Sequence, residues 1–467
     1  MNFFSVILVL IIIWIFLSTE NNKRRLCSFI VVGLLLDVTN FQGYFISLSG
    51  KELPYRDFYS LFMSTYCLFY LLSIKVEKYA FLCSILLIFS SLSGIFFEIL
   101  FPYQNLIINS DAEGGWDLYV AGLTSKQYLD INGPRVFLTL NRVVEFSFLC
   151  LIIKSDFKKK DLVLIFLKLD NWLKLILIYG VFELISKNLL NLGVVNQIND
   201  VVFGAGKYTY SFGDVRNGLF SLQGTTREPS HFAYTLYFII VYFYVKHTFF
   251  NKLSSLFSDK FCIILSCILL FISGSFSSFY FILCFFCFAF LFANKFISIN
   301  KIKAKLFEIL IIGIFLIFFI YILSSIYSDN YYFSRFDSVF RYLSYIIVDD
   351  WWGKVPAESQ LIRMISIVEV LIDLSYSPIV GLGCGIQWAH SGFVTLLSNI
   401  GILGVLLWYL LLSTFSKKFL SLLVIFLLVV LPNLLCGFAE NLLSLSSILL
   451  VYFVLNNVVI RHRYACR

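Results

Sequence analysis

The stretch GTTREPSHFAYTLYF, residues 224–238, sets Arg227, Glu228, Ser230 and His231 directly before an apolar run that continues to Val245. Pro229 suits the first turn of a helix. A helix starting there aims its free amide groups and positive dipole end at the place where Arg227 and Ser230 sit, which is an anion site in outline. An Arg snorkelling at a membrane interface, with Glu228 as neighbour, gives the same pattern. Two other groups carry comparable chemistry. In PIVGLGCGIQWAHSGFVTLLSNIGILG, Gly381, Gly383 and Gly385 alternate just ahead of His390 and Ser391. That spacing brings backbone amides against phosphate oxygens, or serves only to turn the chain. Arg335, Arg341 and Arg363 form the third group, on either side of VDDWWGKVPAESQ. Arginine offers a planar fork of donors that matches phosphate and stays charged at any working pH; attraction to anionic head groups is the simpler alternative.

The elements that must position these residues are membrane spans. Of 467 residues, 60% are hydrophobic and 14% charged, against about 45–50% and 25% in soluble domains. Thirteen spans are expected, near 3–18, 27–49, 58–74, 79–101, 136–153, 172–192, 232–246, 261–275, 277–294, 306–326, 392–414, 419–436 and 443–458; stretches such as 3–18, 79–101, 306–326 and 392–415 approach or exceed the roughly 20 apolar residues that cross a bilayer. The pair at 261–294, containing FISGSFSSFYF, reads either as a hairpin of two shortened helices or as one re-entrant element. The first segment reads as a retained span, having no basic flank before it and no small-residue cleavage site after it. Alternate loops hold 21 and 12 Lys and Arg residues. The positive-inside rule then places the richer set in the cytoplasm, with the amino terminus outside. Three long loops, 102–135, 193–231 and 327–391, face outward, and all three reactive groups fall on or beside them. The last loop, capping the bundle, keeps a helical apolar pattern through Leu361, Ile365, Ile367, Val370 and Leu371, so amphipathic helices on the membrane surface are expected there. The whole chain reads as a single integral domain, all-α and polytopic.

Other chemistry is disfavoured. The net charge of +8 lies in short loops between spans, which removes a nucleic-acid reading. Cys284 and Cys287 form a CxxC inside an apolar helix, where small polarisable side chains are ordinary. Metal-ligand clusters, a phosphate-binding P-loop, a nicotinamide fingerprint and repeats of 20–50 residues are all missing from the sequence, so no cofactor is expected. Arg142 and Glu145, three apart on one span, should pair. Glu98, Glu183, Glu308 and Glu440 are buried charges by position.

REPSHFA, followed by Arg363, fourteen residues, PIVGLGCG, His390 and GILG at 401–404, resembles the O-antigen polymerase family and, more distantly, the O-antigen ligases. The likeness covers the second half of the chain; residues 1–200 match in hydropathy alone. Ser391 stands where that family often has Asn. The resemblance implies a glycosyltransferase in the bacterial inner membrane, working at the periplasmic face on polyprenyl-diphosphate-linked oligosaccharides alongside a flippase and a chain-length regulator. Arg227 and Arg363, helped by Arg335, Arg341 and Ser230, would hold the diphosphate, and His390 or Glu228 would take the acceptor proton. A ligase attaching glycan to lipid A–core shares these features. A flippase for the same lipids would scatter polar groups through the midplane and often show repeats.

Overall fold

The computed structural model describes residues 3–39, 44–48, 51–100, 133–203, 215–216, 219–226, 228–249, 258–275, 277–292, 308, 366–367, 370–385, 389–415, 420–434 and 442–465. These residues are predominantly helical: α1 (Phe3–Ser18), α2 (Asn22–Thr39), α3 (Tyr55–Leu71), α4 (Lys78–Leu100), α5 (Gly133–Ser155), α6 (Lys159–Leu184), α7 (Val194–Phe203), α8 (Pro229–Phe249), α9 (Asp259–Ile272), α10 (Ser277–Phe292), α11 (Gly392–Ser413), α12 (Leu420–Ile425) and α13 (Leu445–Ala465). Among the described residues three helices are long and apolar enough to cross a membrane, within α4, α5 and α11. Others are shorter, such as α1 with 16 residues and α9 with 14, or carry charges that the fold pairs internally. The expected span at 306–326 lies, apart from Glu308, outside the described residues.

Many outward-facing side chains are large and apolar. On α9, Phe261, Ile264, Ile268 and Phe271 are exposed, while Cys262, Ser266, Leu269 and Leu270 face inward. Large apolar groups outside, with Cys262 and Ser266 admitted to the inner face, suit contact with lipid, where close packing and interhelical hydrogen bonds replace the hydrophobic effect. Aromatic edges do part of that packing: Phe166 of α6 meets Tyr242 of α8 and Phe453 of α13, with ring centroids 4.2 and 4.4 Å apart.

Among the described residues two antiparallel strand pairs add to the expected all-α fold, β1 (Tyr44–Leu48) with β2 (Lys51–Pro54), and β3 (Val215–Arg216) with β4 (Leu219–Phe220). β1 falls inside the span expected at 27–49, and β2 just beyond it. The described helix ends at Thr39, and YFISL is rich in the aromatic and β-branched residues that favour strands. The described residues of segment 261–294 form two helices, α9 and α10. α9 and α10 are about 21 and 24 Å long by helical rise, and they meet at a serine-rich tip where Gly274 turns the chain at φ +74°. α6 begins earlier than expected. Its polar Asp170 and Lys174 are matched across the bundle: Lys246 Nζ lies 2.6 Å from Asp170 and 2.8 Å from Asp259, and Lys174 pairs with Asp170. These charges, with Lys23, Asp156 and Asp161, gather at one end of the bundle. Glu228 to Ser230, His390 and the glycine turn gather at the other.

Candidate active site at one end of the bundle

The first turn of α8 is built as the sequence suggests. Pro229 opens the helix, and the Glu228 carbonyl accepts hydrogen bonds from the amides of His231 and Phe232. Ser230 Oγ donates to Glu228 Oε2 at 3.2 Å, holding that carboxylate over the helix start. Thr226 Oγ1 donates to the carbonyls of Gln223 and Glu228. Thr225 Oγ1 donates to Thr39 O and Thr235 Oγ1 to Val38 O, so the segment is fastened to the carboxyl end of α2.

His390 stands at the entry to α11. Its backbone N–H donates to Ser366 Oγ at 3.1 Å, and its Nδ1 lies 3.2 Å from the same oxygen. Residues 366–367 and 370–374 are helical. They turn Ser366, Val370 and Asp373 inward, while Leu371 and Ile372 face outward. Val370 packs with Ala389 and Val394, which places this segment against the His390 loop. Ser391 caps α11 by accepting the Val394 amide at 3.2 Å. Asn and Ser are both good helix caps, so Ser391 meets the local need that an Asn would.

The two regions converge on Asn433. Ser391 Oγ donates to Asn433 O at 3.3 Å, and Tyr234, one turn beyond Ser230 on α8, lies next to the side chains of Asn433 and Ser447. Beside Tyr234 lies a buried ion cluster. Arg56 Nε donates to Asp37 Oδ1 at 2.8 Å, Arg142 is 2.8 Å from Asp57 and 3.7 Å from Asp37, and Asp37 Oδ2 accepts the Leu445 amide. Ser60 Oγ donates to Glu145 Oε2, Asn141 Nδ2 to Ser60 Oγ, and Ser64 Oγ to Asn141 Oδ1. The expected Arg142–Glu145 pair is present but long, at 3.9 Å; Asp57 is the tighter partner. Sequence reading missed Arg56, Asp37 and Asp57. Extending a span across 27–49 hid Asp37, whereas the charged PYRDF string at a helix start was the available signal.

The glycine turn is occupied by contacts within the protein. α11 is broken at Gly401, φ +67° and ψ −179°. The loop at 378–385 fits into the break: Leu382 N–H donates to Ser398 O, Ile402 N–H to Pro378 O and Leu403 N–H to Ile379 O. Gly381, Gly383 and Gly385 all have positive φ. A Cβ on Gly381 would meet Gly401 N at 2.5 Å, and one on Gly385 would meet Arg135 O at 3.0 Å. Gly383 lies against Gly94 of α4, whose own Cβ would come within 2.7 Å of Gly383 N. Glycine is thus required for backbone to pack against backbone. The amides of Gly381 and Leu382 are bonded inside this junction, at Ser377 O and Ser398 O.

Of the residues expected to act, Glu228, Ser230, His390 and the three glycines are at this end of the bundle; Arg227, Arg335, Arg341 and Arg363 lie outside the described residues. Glu183 is fully buried, as expected, and Glu308 is exposed rather than buried. Compared with family models, curated proteins and solved structures, the chain matches none of them.

Proposed function

We propose that this chain is a membrane-embedded glycosyltransferase that polymerises polyprenyl-diphosphate-linked oligosaccharide repeat units at the periplasmic face of a bacterial inner membrane. The observation that carries the reading is the meeting of two regions more than 150 residues apart, the start of α8 and the His390 loop, through Tyr234, Asn433 and Ser391. In this reading the acceptor sugar hydroxyl attacks the anomeric carbon of the donor, its C–O bond to the diphosphate breaks, and configuration inverts in one displacement. Arg227 and Arg363 stabilise the charge that grows on the departing diphosphate, so the reaction calls for neither metal ion nor nucleotide. Glu228 or His390 takes the hydroxyl proton. An imidazole suits that task near neutral pH. For His390 to accept at Nε2, its Nδ1–H must donate to Ser366 Oγ, and a hydroxyl oxygen has the two lone pairs needed to accept this bond and the backbone one together.

Deleting the gene and resolving lipopolysaccharide on a gel separates this reading from its nearest rival. Loss of the polymerase leaves one repeat unit on the lipid A–core, because attachment is intact. A bare core, with polymer accumulating on its lipid carrier, would identify a ligase instead.

A further inference from the structure

We propose that Glu183 and Lys187 are positioning residues, a buried pin that fixes the backbone of 221–226 and through it the placement of Glu228. The role in catalysis rests on the function proposed above; the pin itself does not. At the end of α6 the helix widens into a π-helical turn, Ile185–Leu189, a distortion frequent at functional sites. Glu183 accepts the Gln223 amide at 3.0 and 3.1 Å and the Gly224 amide at 2.6 Å, with Lys187 Nζ 2.6 Å from Oε1. Lys187 also donates to Ser221 O, and Asn188 exchanges two hydrogen bonds with the Phe220 backbone. From the other side, Asn199 donates to Gly224 O and is itself held by Tyr179.

These partners are backbone groups of the segment leading into REPS. The geometry leaves little slack: Gly224 has φ +57°, and a Cβ there would stand 2.3 Å from the Phe232 ring, so the chain is folded around an α8 side chain. Glu183 is 0% and Lys187 2% exposed. Burying an ion pair is a poor route to stability, since apolar replacements often do as well or better. Its clearer use is to supply both acceptors that two adjacent amides need, in one fixed place. A carboxylate does this with two oxygens; a carboxamide offers one.

Hydrogen exchange and catalysis together test the pin. Full-length protein in nanodiscs would be compared as wild type, Glu183→Gln, Glu183→Leu and Lys187→Met, following peptides over 221–228 and elongation of a synthetic polyprenyl-diphosphate oligosaccharide. Exchange at 222–226 should rise about tenfold in Glu183→Gln and further in Glu183→Leu, while α8 keeps its protection. Turnover should fall about ten- to a hundredfold, in line with the cost of a small misplacement, with an unchanged pH profile. Lys187→Met keeps both amide acceptors and should show a smaller effect on each readout; it carries the comparison should the Glu183 variants not insert. Unchanged exchange overturns the pin. Raised exchange with wild-type turnover overturns the positioning role. If wild type itself makes no product while exchange rises in the variants, the pin stands and the glycosyl-transfer reading falls.

Discussion

Substituting Gly401 by alanine should be among the most damaging single changes in the chain. The new Cβ would lie 2.3 Å from Ile379 O, 2.4 Å from Gly381 N and 2.5 Å from Ile379 C, all backbone atoms that no rotamer change can move. A non-glycine residue in this part of φ/ψ space costs about 1–3 kcal/mol. Relieving the overlap means withdrawing the 378–385 loop, which loses the bonds from Leu382, Ile402 and Leu403, each worth about 1 kcal/mol net. The sum, about 4–6 kcal/mol, is comparable with the whole stability of many domains. Gly133→Ala is the control: nothing lies within 4 Å of its Cβ, and it stands at the first residue of α5. Thermal unfolding in nanodiscs reads the difference, and Cys384 reports locally. Burial pushes its thiol up to about 12, a hydrogen bond with Ser91 working the other way. The thiolate fraction at neutral pH is therefore suppressed on the order of a thousandfold. Mass-spectrometric maleimide mapping should find Cys384 silent in the wild type and Gly133→Ala, and labelled in Gly401→Ala. A Gly401→Ala protein with wild-type unfolding temperature and silent Cys384 would refute the packing account.

Arg227→Ala and Arg363→Ala should each abolish polymer in the gel assay with protein abundance unchanged, and lysine should not fully restore it, because the guanidinium fork is lost; normal ladders from both lysine variants would point to snorkelling. Asp37→Asn or Arg56→Met alone removes one member of a buried ion cluster and should cost about 3–5 kcal/mol, the double variant less than the sum, measured as a thermal double-mutant cycle. At the opposite end of the bundle, burial pushes the Asp161 carboxyl up, but Lys23 and the Lys158 amide outweigh it and hold it below its usual value. Its contribution to stability is present above the unfolded-state value near 3.8 and lost as pH falls through the lower folded one; Asp161→Asn should flatten the unfolding temperature in that acid window.

Hydropathy made the helical membrane architecture legible, since apolar runs of span length have few other uses. Span edges were less legible. Asp170, Lys174 and Lys246 look like boundary charges in a linear reading, yet they neutralise one another within the bundle. The REPS helix start was readable from Pro229, a purely local signal. The break in α11 was not, because GILG resembles ordinary helix until a loop some twenty residues earlier is brought against it. The glycines offered two readings, phosphate cradle or turn, and spacing alone does not separate them. Contact with Gly94, Arg135 and Gly401 gives them a packing function. The link through Asn433 joins segments distant in sequence, so no window of residues contains it.

The central claim is that glycosyl transfer proceeds from a lipid-linked donor by this chain alone. Purified protein given synthetic polyprenyl-diphosphate oligosaccharide, with no nucleotide sugar and no added metal, tests it most directly by mass spectrometry of the products. The account predicts lipid-linked glycan longer by whole repeat units, lost in Arg227→Ala. Extension that occurs only when a nucleotide sugar is supplied, or by single sugars, would contradict it.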